Sequence, residues 1–180
     1  VTTQEGKIAL ITYNLSLNRD FGPVIDQLVS TLDRRIFIQL YSLILSDIDY
    51  LHYTGNLKTI KEKIMERLRQ IRSERFAYEE KLTPGEISQL KNETIPQIFS
   101  ADDDETEARN YIDKRVNAEV YLIFGLGIIA SLESPETFSD ICIKELLFCG
   151  KDYEYWLNHE LNMLYYYLSE ERVFFSISFF

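Results

Sequence analysis

Apolar residues recur every three or four positions through LKTIKEKIMERLRQIRSERFAYEE, where Leu57, Ile60, Ile64, Leu68 and Ile71 share one face and Lys, Arg and Glu the other. That period is the mark of an amphipathic helix with one side on a core. Residues 120 to 132, VYLIFGLGIIASL, are apolar on every side. Thirteen residues fall short of the roughly 18 to 20 needed to cross a bilayer, so the run predicts a fully buried core helix. RRIFIQLYSLILSDIDYLHY is apolar on most sides and predicts another interior helix, ended by Gly55-Asn56.

Capping and breaking signals divide the remainder. A first helix is expected from Thr3 to about Asn18, with Ile8, Ile11 and Leu15 inward, broken by Phe21-Gly22-Pro23. A short helix follows from Pro23 to Asp33. Thr83-Pro84-Gly85-Glu86 combines an N-cap, a proline in the first turn and a capping box, opening a helix to about Thr94 that stops before Pro96. Ser100 offers a cap for the helix that carries the buried run. Ser134-Pro135-Glu136 opens a helix that ends at Cys149-Gly150, and Asp152 caps the last one, which runs to about Glu171. The tail VFFSISFF has no helical period and either adds a short strand or tucks into the core. No repeat, low-complexity segment or linker divides the chain. Residues 1–180 therefore predict one all-α domain, a bundle of about seven helices with a short apolar tail.

Composition narrows the class. With 46% hydrophobic residues, 13% aromatics, seven Gly and four Pro in 180 residues, the chain has ample core material and too few turn residues for an all-β fold. Its net charge of −10 disfavours nucleic acid and anionic membranes as partners and favours a basic protein surface. The charge is uneven. Residues 58–75 hold seven Lys/Arg against three Glu, whereas residues 76–180 hold eight against twenty Asp/Glu. The two regions either offset each other inside the fold or form a bipolar surface.

Cys142 and Cys149 are seven residues apart, a rise of about 10.5 Å on a helix, too far for a disulfide. Free, buried thiols and a reducing cytoplasm are the expectation. The first residues, VTTQEGKIALITYNLSLNR, lack the basic-then-apolar order of a signal peptide.

Candidate chemistry is sparse. Asp102, Asp103, Asp104, Glu105 and Glu107 place five acids in six positions. The helix dipole and free N–H groups of a first turn stabilise one or two acids there, by roughly 0.3–1 kcal/mol each, but not five. The excess reads as a solvated helix start, as a face for a basic partner, or as a hard-cation site. No D-x-D-x-D-G loop supports calcium. Asp49 and His52 share a helix face and, with Asp103 and Asp113, form the alternative metal set of a metal-dependent hydrolase. No Glu-x-x-His or H-E-x-x-H motif accompanies them, because Met163 stands where the second histidine of His159-Glu160 would be. Gly125 and Gly127 lack the setting of a dinucleotide fingerprint and instead predict close helix approach. Tyr153, Tyr155, Trp156, Tyr165, Tyr166 and Tyr167 crowd the last helix, so at least one must be displayed.

Ser100-Ala101-Asp102-Asp103 after a proline-containing loop, Ile112-Asp113 at the next turns, the apolar helix beyond, His159-Glu160 and the Phe-ended tail resemble the YjaG-like family of bacterial all-helical proteins. The resemblance implies a helical bundle and no known activity. These readings lead to a non-enzymatic, cofactor-free binding protein of the immunity or antitoxin type. Asp102 to Asp104, Glu105 and Glu107, with Tyr165 and Tyr166, would meet a basic toxin such as a nuclease. A homodimer through the aromatic last helix is a further expectation.

Overall fold

The computed structural model describes residues 4–18, 20–85, 103–132 and 137–170. Among these, every regular element is helical, and the helices make one bundle. They are α1 (Gln4–Asn18), α2 (Gly22–Leu28), α3 (Arg34–Ser46), α4 (Ile48–Tyr53), α5 (Asn56–Glu79), α6 (Asp103–Ser131) and α7 (Thr137–Leu146). A 3₁₀ turn, Leu147–Cys149, follows α7. The last helix, α8, starts at Tyr153–Trp156, passes through a π-helical stretch at Leu157–Leu161 and ends as Asn162–Glu170. Eight helices among the described residues agree with the expected all-α bundle of about seven.

The axis of the bundle is α6. Residues 118 to 131 are buried on all sides, as a continuous apolar run demands. The apolar stripe of α5 (Leu57, Ile60, Ile64, Leu68 and Ile71, all buried) packs along α6, while α7 covers another side of it and α3 crosses it. In turn α8 lies on α3, and α1, α2 and α4 close the remaining faces. No helix among the described residues is long and apolar enough to cross a membrane.

Two close approaches explain the glycines of α6. A Cβ at Gly125 would stand 2.6 Å from Cζ and 2.7 Å from Cε1 of Tyr41 on α3. One at Gly127 would stand 2.8 Å from Cδ2 of Phe138 on α7. The hydroxyl of Tyr41 uses the first gap to donate to the Tyr121 carbonyl at 2.5 Å. Burial, with the neighbouring Tyr121, holds that hydroxyl well above the ordinary phenol pKa. Phe37 stacks against both Tyr41 and Tyr121, and Phe124 meets Tyr121 edge-on. Glycine here is a packing residue, as expected.

Several boundaries differ from the sequence expectation. The helix expected from Pro23 to Asp33 ends at Leu28, because Ser30 Oγ donates back to the Asp26 carbonyl at 2.9 Å and the chain turns. Asp33 instead caps α3, accepting the Arg35 N–H at 2.9 Å. The long interior helix is interrupted at Asp47, whose N–H bonds the Ile44 carbonyl three residues back while Ser46 Oγ takes the Ser42 carbonyl. In α8, the π-helical stretch holds His159, whose Nδ1 lies 2.8 Å from the Tyr155 carbonyl and therefore carries the proton. Asp152 caps α8 through the Tyr155 N–H and Gly150 takes a left-handed φ of 84°, both as expected; Gly55, where the interior helix ends, takes a φ of 78°. Pro84 and Gly85 are helical; the remaining residues of the helix expected there, Ser100, Ser134 to Glu136 and the tail lie outside the described residues.

Cys142 and Cys149 are free and buried, and burial raises both thiols to about 12. Each is protonated in the fold and ionises more easily in the unfolded chain, so stability falls as pH rises above about 9. Between pH 7 and 9.5 the two together should cost about 2 kcal/mol. Urea unfolding across that range checks it. A Cys142→Ala, Cys149→Ala variant should lose most of the alkaline decline, and an unchanged decline would show that other groups cause it.

Candidate functional site

The charged residue nearest the centre of the bundle is Glu119, fully buried on α6 immediately before the apolar run. It is met by Arg75, which extends the apolar stripe of α5 four residues past Ile71 and is itself buried. Arg75 Nε donates to Glu119 Oε2 at 2.6 Å and Nη2 to Oε1 at 3.0 Å, a two-pronged pair. Arg75 also donates to Glu79 and to the Phe148 carbonyl. Arg72 approaches Glu119 from the next turn at 3.5 Å and pairs with Glu145 of α7 at 3.0 Å. The two guanidinium groups lie over the rings of Phe76 and Phe148.

Burial is the largest influence on both central groups. It pushes the Glu119 carboxyl up, against the hydrogen bonds and charges of Arg75 and Arg72. It also opposes the charge on Arg75, whose bonds to Glu119 nonetheless hold it above the ordinary guanidinium value. Arg75 and Glu119 are bonded to each other, while Arg72 Nε meets Glu119 only as a 3.5 Å ion-pair contact and has no hydrogen-bond partner. The cluster ties α5, α6 and α7 together. Its chemistry is structural, since the carboxylate has no exposure through which a substrate could reach it.

Outside this cluster lies a groove of about 530 Å³ between the end of α5, the early turns of α6, the 147–151 turn and the start of α8. Phe76, Leu147 and Phe148, all exposed, supply its apolar surface. Glu79, Arg109, Asp113 and Lys151 contribute charge of both signs. Trp156 lines it from below, and its buried indole N–H has no hydrogen-bond partner.

The expected site residues are placed as follows. Asp102 lies outside the described residues. Asp103 begins α6, and Asp104 and Glu105 continue it, with their side chains outside the description. Glu107 and Asp113 are exposed, and Asp113 borders the groove. Tyr165 and Tyr166 are exposed on α8, as three successive tyrosines required. Asp49 and His52 are exposed on α4. Among the described residues no three His, Cys, Asp or Glu side chains converge on one point.

The Arg75–Glu119 pair was not singled out by sequence reasoning, although two signals exist for it. An arginine occupies the next position of an apolar stripe, and a glutamate abuts a run with no other charge. Each is out of place alone and satisfied by the other.

No protein-family model matches the chain, and no characterised protein or solved structure gives a significant match. The YjaG-like resemblance is therefore carried by its sequence motif alone.

Proposed function

We propose that this chain is a cytoplasmic, non-enzymatic protein-binding domain of the immunity or antitoxin type. It would occlude a basic toxin, such as a nuclease, with the acidic surface at the start of α6. One observation carries the reading: two cations of the basic helix are spent inside the fold, although its Lys58, Lys63 and Arg69 stay exposed. Arg72 and Arg75 of α5 are turned inward onto Glu119 and Glu145, and Arg115 pairs with Glu74. Glu107, Asp113, Asp140, Asp152 and Glu154 remain exposed. A net charge of −10 displayed in this way steers a basic partner and raises its association rate.

Supporting features are the apolar groove edged by Glu79 and Asp113, and the displayed Tyr165 and Tyr166. Together they offer the aromatic and apolar contacts that hold a partner once charge has steered it. The buried ion pair serves this role by fixing α6 against α5 and α7.

The test is a paired capture from the native host, with wild type and an Asp102→Asn, Asp103→Asn, Asp104→Asn variant as baits. A basic protein retained by the first and lost from the second, encoded beside this chain, is the expected outcome. Equal retention by both baits would place the interface elsewhere.

A further inference from the structure

A second cleft, of about 700 Å³, lies between the loop that enters α3 and the middle of α6, lined by Ser30, Thr31, Asp33, Arg34, Lys114 and Asn117. Its charge is opposite to that of the chain as a whole. Two cations, Arg34 and Lys114, face one acid, and that acid is occupied. Asp33 Oδ1 accepts the Arg35 N–H at 2.9 Å, and Oδ2 lies 3.4 Å from Arg35 Nη2. Arg34 reaches a carboxylate only at 3.8 Å, that of Glu160, which also accepts the Tyr121 hydroxyl at 3.0 Å. Among the described residues no carboxylate lies within ion-pair distance of Lys114.

A third cation stands behind the wall. Arg67 Nη2 donates to the Ser30 carbonyl at 3.4 Å, Nη1 bonds the neutral Gln70, and Nε is buried without a partner. Burial first, and then the charge of Arg115, pull this guanidinium below its ordinary value, with Glu74 working the other way. Crowded, incompletely paired cations around a concave surface focus a positive potential into it.

The cleft also holds a built-in donor. The Thr31 side chain is only 5% exposed; its oxygen accepts the Asp33 N–H at 3.0 Å, and among the described residues its own proton goes to no acceptor. The first turn of α3, a helix of 13 residues, begins at Arg34 with its positive dipole end toward the same space.

We propose that this cleft binds a small oxyanion whose recognised chemistry is a phosphoryl group. A tetrahedral dianion matches two exposed cations, a buried hydroxyl donor and the Asn117 carboxamide better than a planar monocarboxylate, which offers less charge and fewer acceptors. The ligand is either free phosphate or the phosphate of a small ester, and the two share this recognition.

The experiment titrates the ¹⁵N-labelled full chain with inorganic phosphate, with a simple phosphate monoester, and with sodium chloride at matched ionic strength, following amide shifts. The proposal expects saturable shifts at Thr31, Arg34, Lys114 and Asn117 with phosphate or the ester, at roughly millimolar or tighter affinity, and none with chloride. Tighter binding of the ester would identify the ester as the ligand; equal binding would identify the free anion. An Arg34→Gln, Lys114→Gln variant, altered only at exposed side chains, should unfold at the same urea concentration and bind at least about tenfold more weakly. Shifts that merely track ionic strength, saturation centred on other residues, or equal affinity in the variant would each overturn the proposal.

Discussion

Glu119→Ala is expected to lower the free energy of unfolding by about 3–5 kcal/mol, a large part of what a single domain possesses. The reason is what remains behind. Arg75 is buried, and without Glu119 its Nε and one Nη2 bond have no carboxylate, leaving only Glu79 and the Phe148 carbonyl. Arg72 loses its 3.5 Å contact with the same group and keeps Glu145. Arg75→Ala should cost a similar amount, since it strands a fully buried carboxylate beside one remaining, more distant arginine. Replacing both together, with Arg75→Ala and Glu119→Ala, should cost less than the two single changes summed, because neither charge is then isolated. Urea unfolding of the four proteins measures this cycle. Single losses below about 1 kcal/mol, or additive losses, would mean that the pair does not hold the helices as described.

Gly125→Ala is the second large effect, and its sign opposes helix propensity. In an exposed helix this change adds about 0.5–1 kcal/mol of stability. Here the new methyl would stand 2.6 Å from Tyr41 Cζ, inside contact distance. Tyr41 cannot swing away without withdrawing its hydroxyl from the Tyr121 carbonyl and disturbing its stack on Phe37. Overpacking of about 1–3 kcal/mol is compounded by an unmet buried hydroxyl, so a net loss of about 2–4 kcal/mol is expected. Tyr41→Phe alone should cost about 1 kcal/mol, because it removes the donor and leaves the ring in place. A neutral or stabilising Gly125→Ala would show that α3 and α6 do not approach at this point. Thermal and urea unfolding report both variants directly.

Much of the fold was legible because its helices obey local rules. The stripe from Leu57 to Ile71 appears as α5, and the charge-free run from Val120 lies in the buried part of α6 up to Ser131, with only Leu132, just past the helix end, exposed. Asp152 caps where its position before Tyr153 suggested, and Gly125 and Gly127 mark close approaches. Legibility ended where a side chain competes with the backbone. Ser30, Ser46 and Asp47 break helices that the apolar pattern alone would continue, and His159 sits in a π-helical stretch no period announces. It also ended at long range. Arg75 and Glu119 are 44 positions apart, and nothing local tells a buried arginine from one that snorkels to solvent. The acidic stretch is the opposite case: its excess over the needs of a helix start is plain in the sequence, while Asp102 and the side chains of Asp103, Asp104 and Glu105 lie outside the described residues. That excess is why a partner is proposed for it.

The association rate of this chain with a basic protein captured from its host, measured by stopped flow at about 25 mM and about 150 mM salt, tests that proposal most directly. A rate that falls by about tenfold or more with salt, and by a similar factor at low salt in the Asp102→Asn, Asp103→Asn, Asp104→Asn variant, is the predicted result. A rate unchanged by either salt or these substitutions would contradict an acidic docking face on α6.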